Sequence, residues 1–558
     1  LPSTESAFLY PTGFWDNLNN FIVEKRYSPK QLFLKMKNPI TGRQVLVVVL
    51  FTWLFVGCSP SEPTYTNDLP LSTPEAEGVS SAAILKFVDA LDQGENEIHS
   101  FVIVRHGKII SEGWWNPYGK ELRHTMFSVS KSFTSVGVGL AIAENKLALT
   151  DKVASFFPES ADTLSTYMQE MTVEDLLKMS TGMDTDPLFQ AMGSTGDWPK
   201  IFLSTPIQHE PGTVFKYNNM ATFMLSAIVQ KATGVKLFDF LKPRLFEPLG
   251  ITNVTWDERP AGFTLGAIGL RIASNDMAKF GQLLLQQGKW NDKQLIPESW
   301  IAAVSSAQID SSDPGNTNPN ENNDWAQGYG YQFWKSRHNS YRADGLGGQF
   351  ILVLPEKDAV VVLTASSVIT QDELNVVWDN LLPALQAEAL PEDKTSFDKL
   401  NARIASLAVS KTTSVQPDAA LLPRITEKKI KCEQNELGIT ALGVDLQQAD
   451  ARIAFERDNL RSEITAGLDT WKLSDTPLNT LNAAPRAGQA QPIKMAATYT
   501  WVDATTLKVS VRFVEEAISS EVWLFQFKDN GTVQVDVKPE PSGMPFGRPV
   551  VVLKGKIE

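Results

Sequence analysis

Apolar residues recur at helical spacing from Ser81 to Leu91, and the "SFVIVRHGKIISEGWW" that follows reads as two strands turning at His106-Gly107. From Phe133 onward helical spacing dominates. Thr172 is placed to cap "VEDLLKMS", with Asp175 completing a capping box and Gly182 just beyond the end. "NMATFMLSAIVQKATG" predicts a helix stopped by Gly234, and Ser274-Asn275-Asp276 precedes another over "MAKFGQLLLQQG". Strand character returns with "GYGYQFW" from Gly328 and with "GQFILVLPEKDAVVVLTA" from Gly348, a hairpin turned by Pro355 to Asp358. A last helix covers "DELNVVWDNLLPAL". Strands at both ends of a helical middle predict an α+β domain over 79–390: one antiparallel sheet closed by the two ends of the domain, with helices inserted or packed on its faces.

Beyond about Leu390 the texture changes. The run from Thr498 to Pro539 alternates apolar and polar residues, with turns at Asp503-Ala504 and Asp529-Asn530-Gly531, which predicts antiparallel hairpins. A C-terminal all-β domain is expected over 424–558, joined through a linker at 391–423. At the other end, Met36-Lys37 and Arg43 precede "VLVVVLFTWLFVG" (Val45 to Gly57) and Cys58. This order of basic, apolar and small residues is that of a secretory signal, and the run is shorter than the ~20 residues that span a bilayer. "FVGC" resembles a bacterial lipoprotein box. The expectation is a signal peptide at 36–57, lipidation of Cys58, sorting to the outer membrane from Ser59, a tether at 58–78, and an upstream segment at 1–35 that is not native.

Composition narrows the partners. The chain has 558 residues, 43% hydrophobic and 21% charged, and a formal net charge of -13. That is the balance of a globular protein with a large core. An acidic chain with no dense run of Lys and Arg outside the N-terminal flank argues against nucleic acid as a partner. Cys58 and Cys432 cannot make a disulfide framework or a four-thiolate metal site, and Cys432 is expected to be a quiet core residue.

The chemistry lies in "MFSVSKSFTS". If a helix begins near Ser128, Lys131 is three residues on and shares its face, whereas Ser130 and Ser132 point elsewhere. A helix start also offers free N–H groups and the positive end of the dipole to a forming oxyanion. A hydroxyl needs a base, and a lysine serves only if its pKa is lowered; the apolar "FTSVGVGLAIA" behind it supplies the burial. Two further pieces follow. Tyr217, ahead of Asn218 and Asn219, can pass protons between nucleophile and leaving group, and the Asn219 amide can hydrogen-bond substrate. In "RADGLGGQFILVLPE", Gly345, Gly347 and Gly348 let substrate approach the backbone. Alone, each has an ordinary explanation: chance spacing, an N-cap asparagine beside a core tyrosine, a tight turn. Their order within one domain is what makes them a set.

Leu71 to Leu390 resembles the serine β-lactamase and penicillin-binding-protein superfamily. "SVSKSFTS", "LLKMSTGM", "EPGTVFKYNN" and "DGLGGQ" look like local patterns of its class C-like branch, which includes family VIII carboxylesterases and 6-aminohexanoate-oligomer hydrolases. The resemblance implies a β-lactamase-like fold and an acyl-enzyme mechanism without metal or cofactor. Ser128 is then the nucleophile, Lys131 its partner and Tyr217 the catalytic tyrosine, with backbone N–H groups of Ser128 and of Leu346 or an adjacent glycine holding the oxyanion. One departure stands out: where relatives carry Lys-Thr-Gly or a His variant, this chain has Gly345-Leu346-Gly347. Arg342 is the nearby cation that could replace the lysine. There is no Glu-x-x-Leu-Asn sequence before Tyr217 and no Gly-x-Ser-x-Gly elbow. Three readings stay open: hydrolysis of a small ester, amide or peptide; β-lactamase or D-alanyl-D-alanine carboxypeptidase activity; and a non-catalytic receptor lipoprotein of penicillin-binding type. Trp198, Trp325 and Trp334 are candidates to line an apolar pocket.

Overall fold

The computed structural model describes residues 68–159, 164–194, 196–259, 262–312, 322–409, 413–446, 450–457, 460–476, 493–516, 520–540 and 549–558. The expected signal, the Cys58 lipidation site and the first part of the tether lie outside the described residues. All elements below belong to one compact unit, 67–191 with 195–558.

Helix α1 (Ser81–Gln93) starts where the Ser80 hydroxyl accepts the Ala83 N–H, and it buries Ile84, Phe87, Val88 and Leu91 on one stripe. Strands β1 (Glu97–Arg105) and β2 (Lys108–Trp114) turn at His106 and Gly107, both at positive φ. The late strands are β3 (Trp334–Ser336), β4 (Ser340–Gly345), β5 (Gln349–Leu354) and β6 (Ala359–Ser366). They form one antiparallel sheet in the order β3-β4-β5-β6-β1-β2, so the first strand of the domain pairs with the last, Phe101 opposite Leu363.

Both faces of this sheet are covered. Val102, Val104, Ile351, Val353, Val360 and Val362 join one core; their neighbours Phe101, Ile103, Phe350, Leu352, Val361 and Leu363 join the other, with α1. Alternation is therefore erased in β1, β5 and β6, which read as continuous apolar runs. The first core is shared by helices α2 (Ser130–Ala143), α3 (Val173–Leu177), α4 (Asn219–Thr233) and α5 (Ser274–Leu285). The capping box at Thr172–Asp175 and the left-handed stop at Gly234 form as the sequence predicts.

Two segments differ from expectation. "GYGYQFW" becomes strand only from Trp334, because Gln332 spends its bonds elsewhere: its carbonyl accepts from Ser132 Oγ (2.8 Å) and its amide group donates to the Leu176 and Leu177 carbonyls. The expected linker carries a helix, Lys394–Ala405, which buries Leu400 and ion-pairs Arg403 with Asp89 at 2.7 Å.

The C-terminal region is an all-β barrel. Ten strands among the described residues run from Lys428–Cys432 to Val551–Ile557. Most pair antiparallel, as the alternation predicts. Closure comes from a parallel pair that no local pattern announces, Gly467 opposite Thr498 and Leu468 opposite Tyr499. These two pairs join the ends of the sheet, and among the described residues the strand Lys472–Thr476 still pairs on one side only. Its interior is filled by Phe455, Trp523, Phe525 and the valines Val533, Val535 and Val537. Cys432 is half-buried in the first strand, and burial pushes its thiol up to about 11.

Candidate active site

Ser128 lies on a single 3-10 turn, Phe127–Val129, immediately before α2. Phe127 occupies the left-handed region at φ 42°, an uncommon conformation for an aromatic residue; it presents the next residue, Ser128, at the mouth of the helix. Lys131 is on the first turn of α2 and is 1% exposed. Its Nζ is 2.9 Å from Ser128 Oγ, 2.7 Å from Asn219 Oδ1 and 3.0 Å from the Ala267 carbonyl. The spacing read from the sequence thus closes as a direct contact. Ser130 and Ser132 face away: Ser130 Oγ accepts the Leu270 N–H at 3.3 Å and Ser132 Oγ donates to Gln332.

Two of the three groups around Lys131 Nζ are carbonyl oxygens, which can only accept. A neutral lysine giving its two hydrogens to Asn219 and Ala267 is left with its lone pair toward Ser128. Burial pushes Lys131 down to about 7, partly offset by the carboxylates of Asp186 and Asp344. The Tyr217 ring lies 5.0 Å from Lys131 Nζ. Its phenol is raised by burial, so it is protonated at neutral pH. Trp334 stacks on the Tyr217 ring with centroids 5.8 Å apart, and Tyr329 meets its edge at 6.4 Å.

Asn218 and Asn219 divide their work. Asn218 caps α4 through the Ala221 N–H at 3.0 Å. Asn219 is tied down by Asp186, whose carboxylate accepts its backbone N–H (2.8 Å) and its side-chain Nδ2 (2.7 Å). The amide expected to face substrate therefore has its oxygen on Lys131 and a donor on Asp186, so it orients the Lys131 amine. Asp186 and Ala267 escaped sequence reading because neither belongs to a spaced motif; a carboxylate in a loop has no periodic signature.

The Gly-rich strand end packs directly behind the serine turn. A Cβ on Gly345 would collide with the Met126 carbonyl, and one on Gly348 with the Glu373 carboxyl. Leu346 follows Gly345 at this end, and the Gly347 carbonyl accepts the Ser367 N–H at 3.1 Å. Arg342 does not reach the cleft. Its side chain is fully buried; it donates to Asp344 (2.8 Å) and to the Asp324 carbonyl (2.9 Å), with its guanidinium over Trp325. The cause is alternation along β4: Arg342 and Asp344 share a face, and the carboxylate captures the cation. In place of a cation, the site keeps the Asp344 carboxylate. Of the three tryptophans only Trp334 touches a candidate catalytic side chain. Trp198 packs on Phe223 in the core, and Trp325 covers Arg342.

A family model for β-lactamase matches residues 88–386, more than half of the chain. The chain belongs to the β-lactamase family. Among relatives of this family, the 6-aminohexanoate-dimer hydrolase of Paenarthrobacter ureafaciens is 24% identical over 323 residues, which is 53% of this chain and 80% of that protein. A β-lactamase of Escherichia coli (strain K12) is 24% identical over 199 residues, covering 32% of this chain and 52% of that protein. Among solved structures, a penicillin-binding protein homologue from Caulobacter crescentus matches with a TM-score of 0.45 at 14% identity, covering 56% of this chain and 99% of that one.

Behind the glycines, Glu373 is 1% exposed, its Oε1 bonded by the Ser367 hydroxyl and its Oε2 without a partner. Burial, with Asp344 and Asp372 nearby, raises its pKa well above the ordinary carboxyl range. The native state thus holds a proton that the unfolded chain loses first, so the stability from this group is full at acid pH and is lost as pH rises through its raised pKa. Glu373→Gln is expected to flatten that fall. Thermal midpoints at pH 5 and pH 9 check it; a wild-type loss with pH that the variant keeps in full would contradict the assignment.

Proposed function

We propose that this chain is a serine hydrolase that cleaves a small carboxylic ester or amide through an acyl-enzyme on Ser128. The observation that carries the reading is the buried Lys131 amine, 2.9 Å from Ser128 Oγ and pushed down to about 7. Ser128 Oγ attacks the carbonyl carbon while its proton passes to Lys131. Tyr217 relays a proton to the leaving alcohol or amine, and water then releases the acid from the serine. Backbone N–H groups of Ser128 and Leu346 are the oxyanion donors in this reading, a contribution of about 3–4 kcal/mol in related chemistry. The relative named as a 6-aminohexanoate-dimer hydrolase supports the amide side of this reading. Arg342, buried on Asp344, is unfit to hold a substrate carboxylate, which weighs against β-lactam or D-alanyl-peptide turnover. The envelope location expected from Cys58 is part of the same proposal and rests on the N-terminal sequence alone.

Turnover of p-nitrophenyl esters, a chromogenic cephalosporin and a D-alanyl dipeptide tests the substrate class. Ester turnover at least ~100-fold faster in kcat/KM than either of the others is expected, a gap of about 2.7 kcal/mol. Cephalosporin or dipeptide turnover matching the esters would replace this reading with the β-lactamase or carboxypeptidase one.

A further inference from the structure

Two carboxylates beside one barrel strand meet two arginines, Arg271 on the strand Leu270–Ile272 and Arg123 just ahead of the strand His124–Thr125 that leads into the Ser128 turn. Glu515 and Glu516 follow the strand Thr506–Phe513 and are 6% and 5% exposed. Arg123 donates to Glu515 at 2.8 Å. Arg271, 4% exposed, donates to Glu516 through Nε (2.9 Å) and Nη2 (2.6 Å) while its other edge holds Asp257 at 2.8 Å.

Arg271 sits on a short sheet that leads straight into the site, and Arg123 immediately precedes its partner strand. Thr125 pairs with Arg271 and His124 with Ile272. One residue on, the Met126 N–H bonds the Leu270 carbonyl at 2.9 Å, and the Leu270 N–H bonds Ser130. Ala267, on the approach to the same strand, supplies a carbonyl to Lys131.

An independent set of contacts reaches the same strand. Arg512, from the barrel, ion-pairs with Glu97 (2.9 Å) and with its own barrel's Glu540 (2.8 Å). Glu97 contacts His99 at 3.2 Å, His99 Nδ1 lies 2.8 Å from His124 Nε2, and His124 Nδ1 donates to the Thr125 carbonyl at 3.0 Å. Tyr118 stacks on His99 and packs with barrel residues Ala496 and Val514.

Ion pairs this buried gain little stability over apolar packing, because desolvation consumes most of the attraction; their best-attested use is to fix one geometry. We propose that the barrel is an intramolecular clamp on the nucleophile turn, in which Glu515 and Glu516 are positioning residues that act through Arg123 and Arg271 to hold Ser128 against Lys131. A barrel serving only as tether or spacer needs no buried charge at this point. The clamp rests on the proposed serine chemistry for its effect on rate, though its mechanical part is separable.

The test compares the full chain with Glu515→Ala/Glu516→Ala and with the conservative Glu515→Gln/Glu516→Gln, each shown folded by far-UV circular dichroism. Two readouts are taken: fluorophosphonate inactivation, resolved into the limiting rate and the half-saturating concentration, and hydrogen exchange of peptides covering 122–133 and 359–366. The Ala pair is expected to lower the limiting rate about ten-fold or more with half-saturation unchanged, and to exchange faster at 122–133 but not at 359–366. The Gln pair, which keeps an acceptor, should recover part of both. Unchanged exchange at 122–133 overturns the clamp whether or not the wild type is labelled, and so does faster exchange with an unchanged limiting rate. An unlabelled wild type instead counts against the serine hydrolase reading, while the exchange data still decide the clamp.

Discussion

Ser128→Ala is expected to lower kcat/KM for an ester by about 10⁴-fold or more while leaving the fold intact. The hydroxyl is on a half-buried turn and accepts from Lys131, which keeps its contacts to Asn219 and Ala267. Removing it takes away the proposed nucleophile and little packing. The neighbouring serines make the contrast informative. Ser130 and Ser132 are fully buried and each holds a backbone group, Leu270 N–H and the Gln332 carbonyl. Their alanine variants leave those groups unpaired, a cost of about 1–3 kcal/mol in stability. They are expected to lower the melting temperature rather than abolish chemistry. Steady-state kinetics and thermal melts of the three variants decide this, and a Ser128→Ala enzyme within ten-fold of wild type would contradict the assignment.

Lys131 gives the second large effect. Lys131→Met is expected to lower the acylation rate by about 10²–10⁴-fold, the usual worth of a positioned base. In the wild type, acylation should rise as Lys131 loses its proton near pH 7 and reach a plateau above it. Asp186 favours the protonated lysine, so neutralising it moves the midpoint to lower pH; Asp186→Asn also loosens Asn219, and the plateau rate should fall. Single-turnover acylation between pH 5 and pH 10 tests both. A rate still climbing at pH 10 would show an ordinary solvated lysine and would contradict the role given to burial.

Much of the fold is legible in the sequence alone. The Ser128–Lys131 contact follows from a three-residue spacing at a helix start, whereas Tyr217 is picked out by its Tyr-Asn-Asn sequence and the family resemblance. Closure of the sheet by its ends followed from strands flanking a helical middle, and the barrel hairpins from alternation. What sequence did not yield depends on distant pairs. The partners of Lys131 at Asn219 and Ala267, the hold of Asp186 on Asn219, and the parallel closure at Gly467 and Thr498 all join residues from separate elements. Arg342 shows the converse failure: nearness in sequence suggested a substrate cation, and the two-residue period of the strand gave it to Asp344 instead. The segment at Gly328 reads as strand because apolar residues alternate there, yet Gln332 anchors it to α2 and α3.

The proposed chemistry passes through a covalent intermediate on one of several clustered serines. Peptide mapping by mass spectrometry after fluorophosphonate treatment tests it most directly. A single adduct is expected on the peptide containing Ser128, localised to that residue by fragmentation and lost in Ser128→Ala but kept in Ser132→Ala. An adduct on Ser130, Ser132 or a residue outside this turn, or none on a folded enzyme that turns over esters, would contradict it.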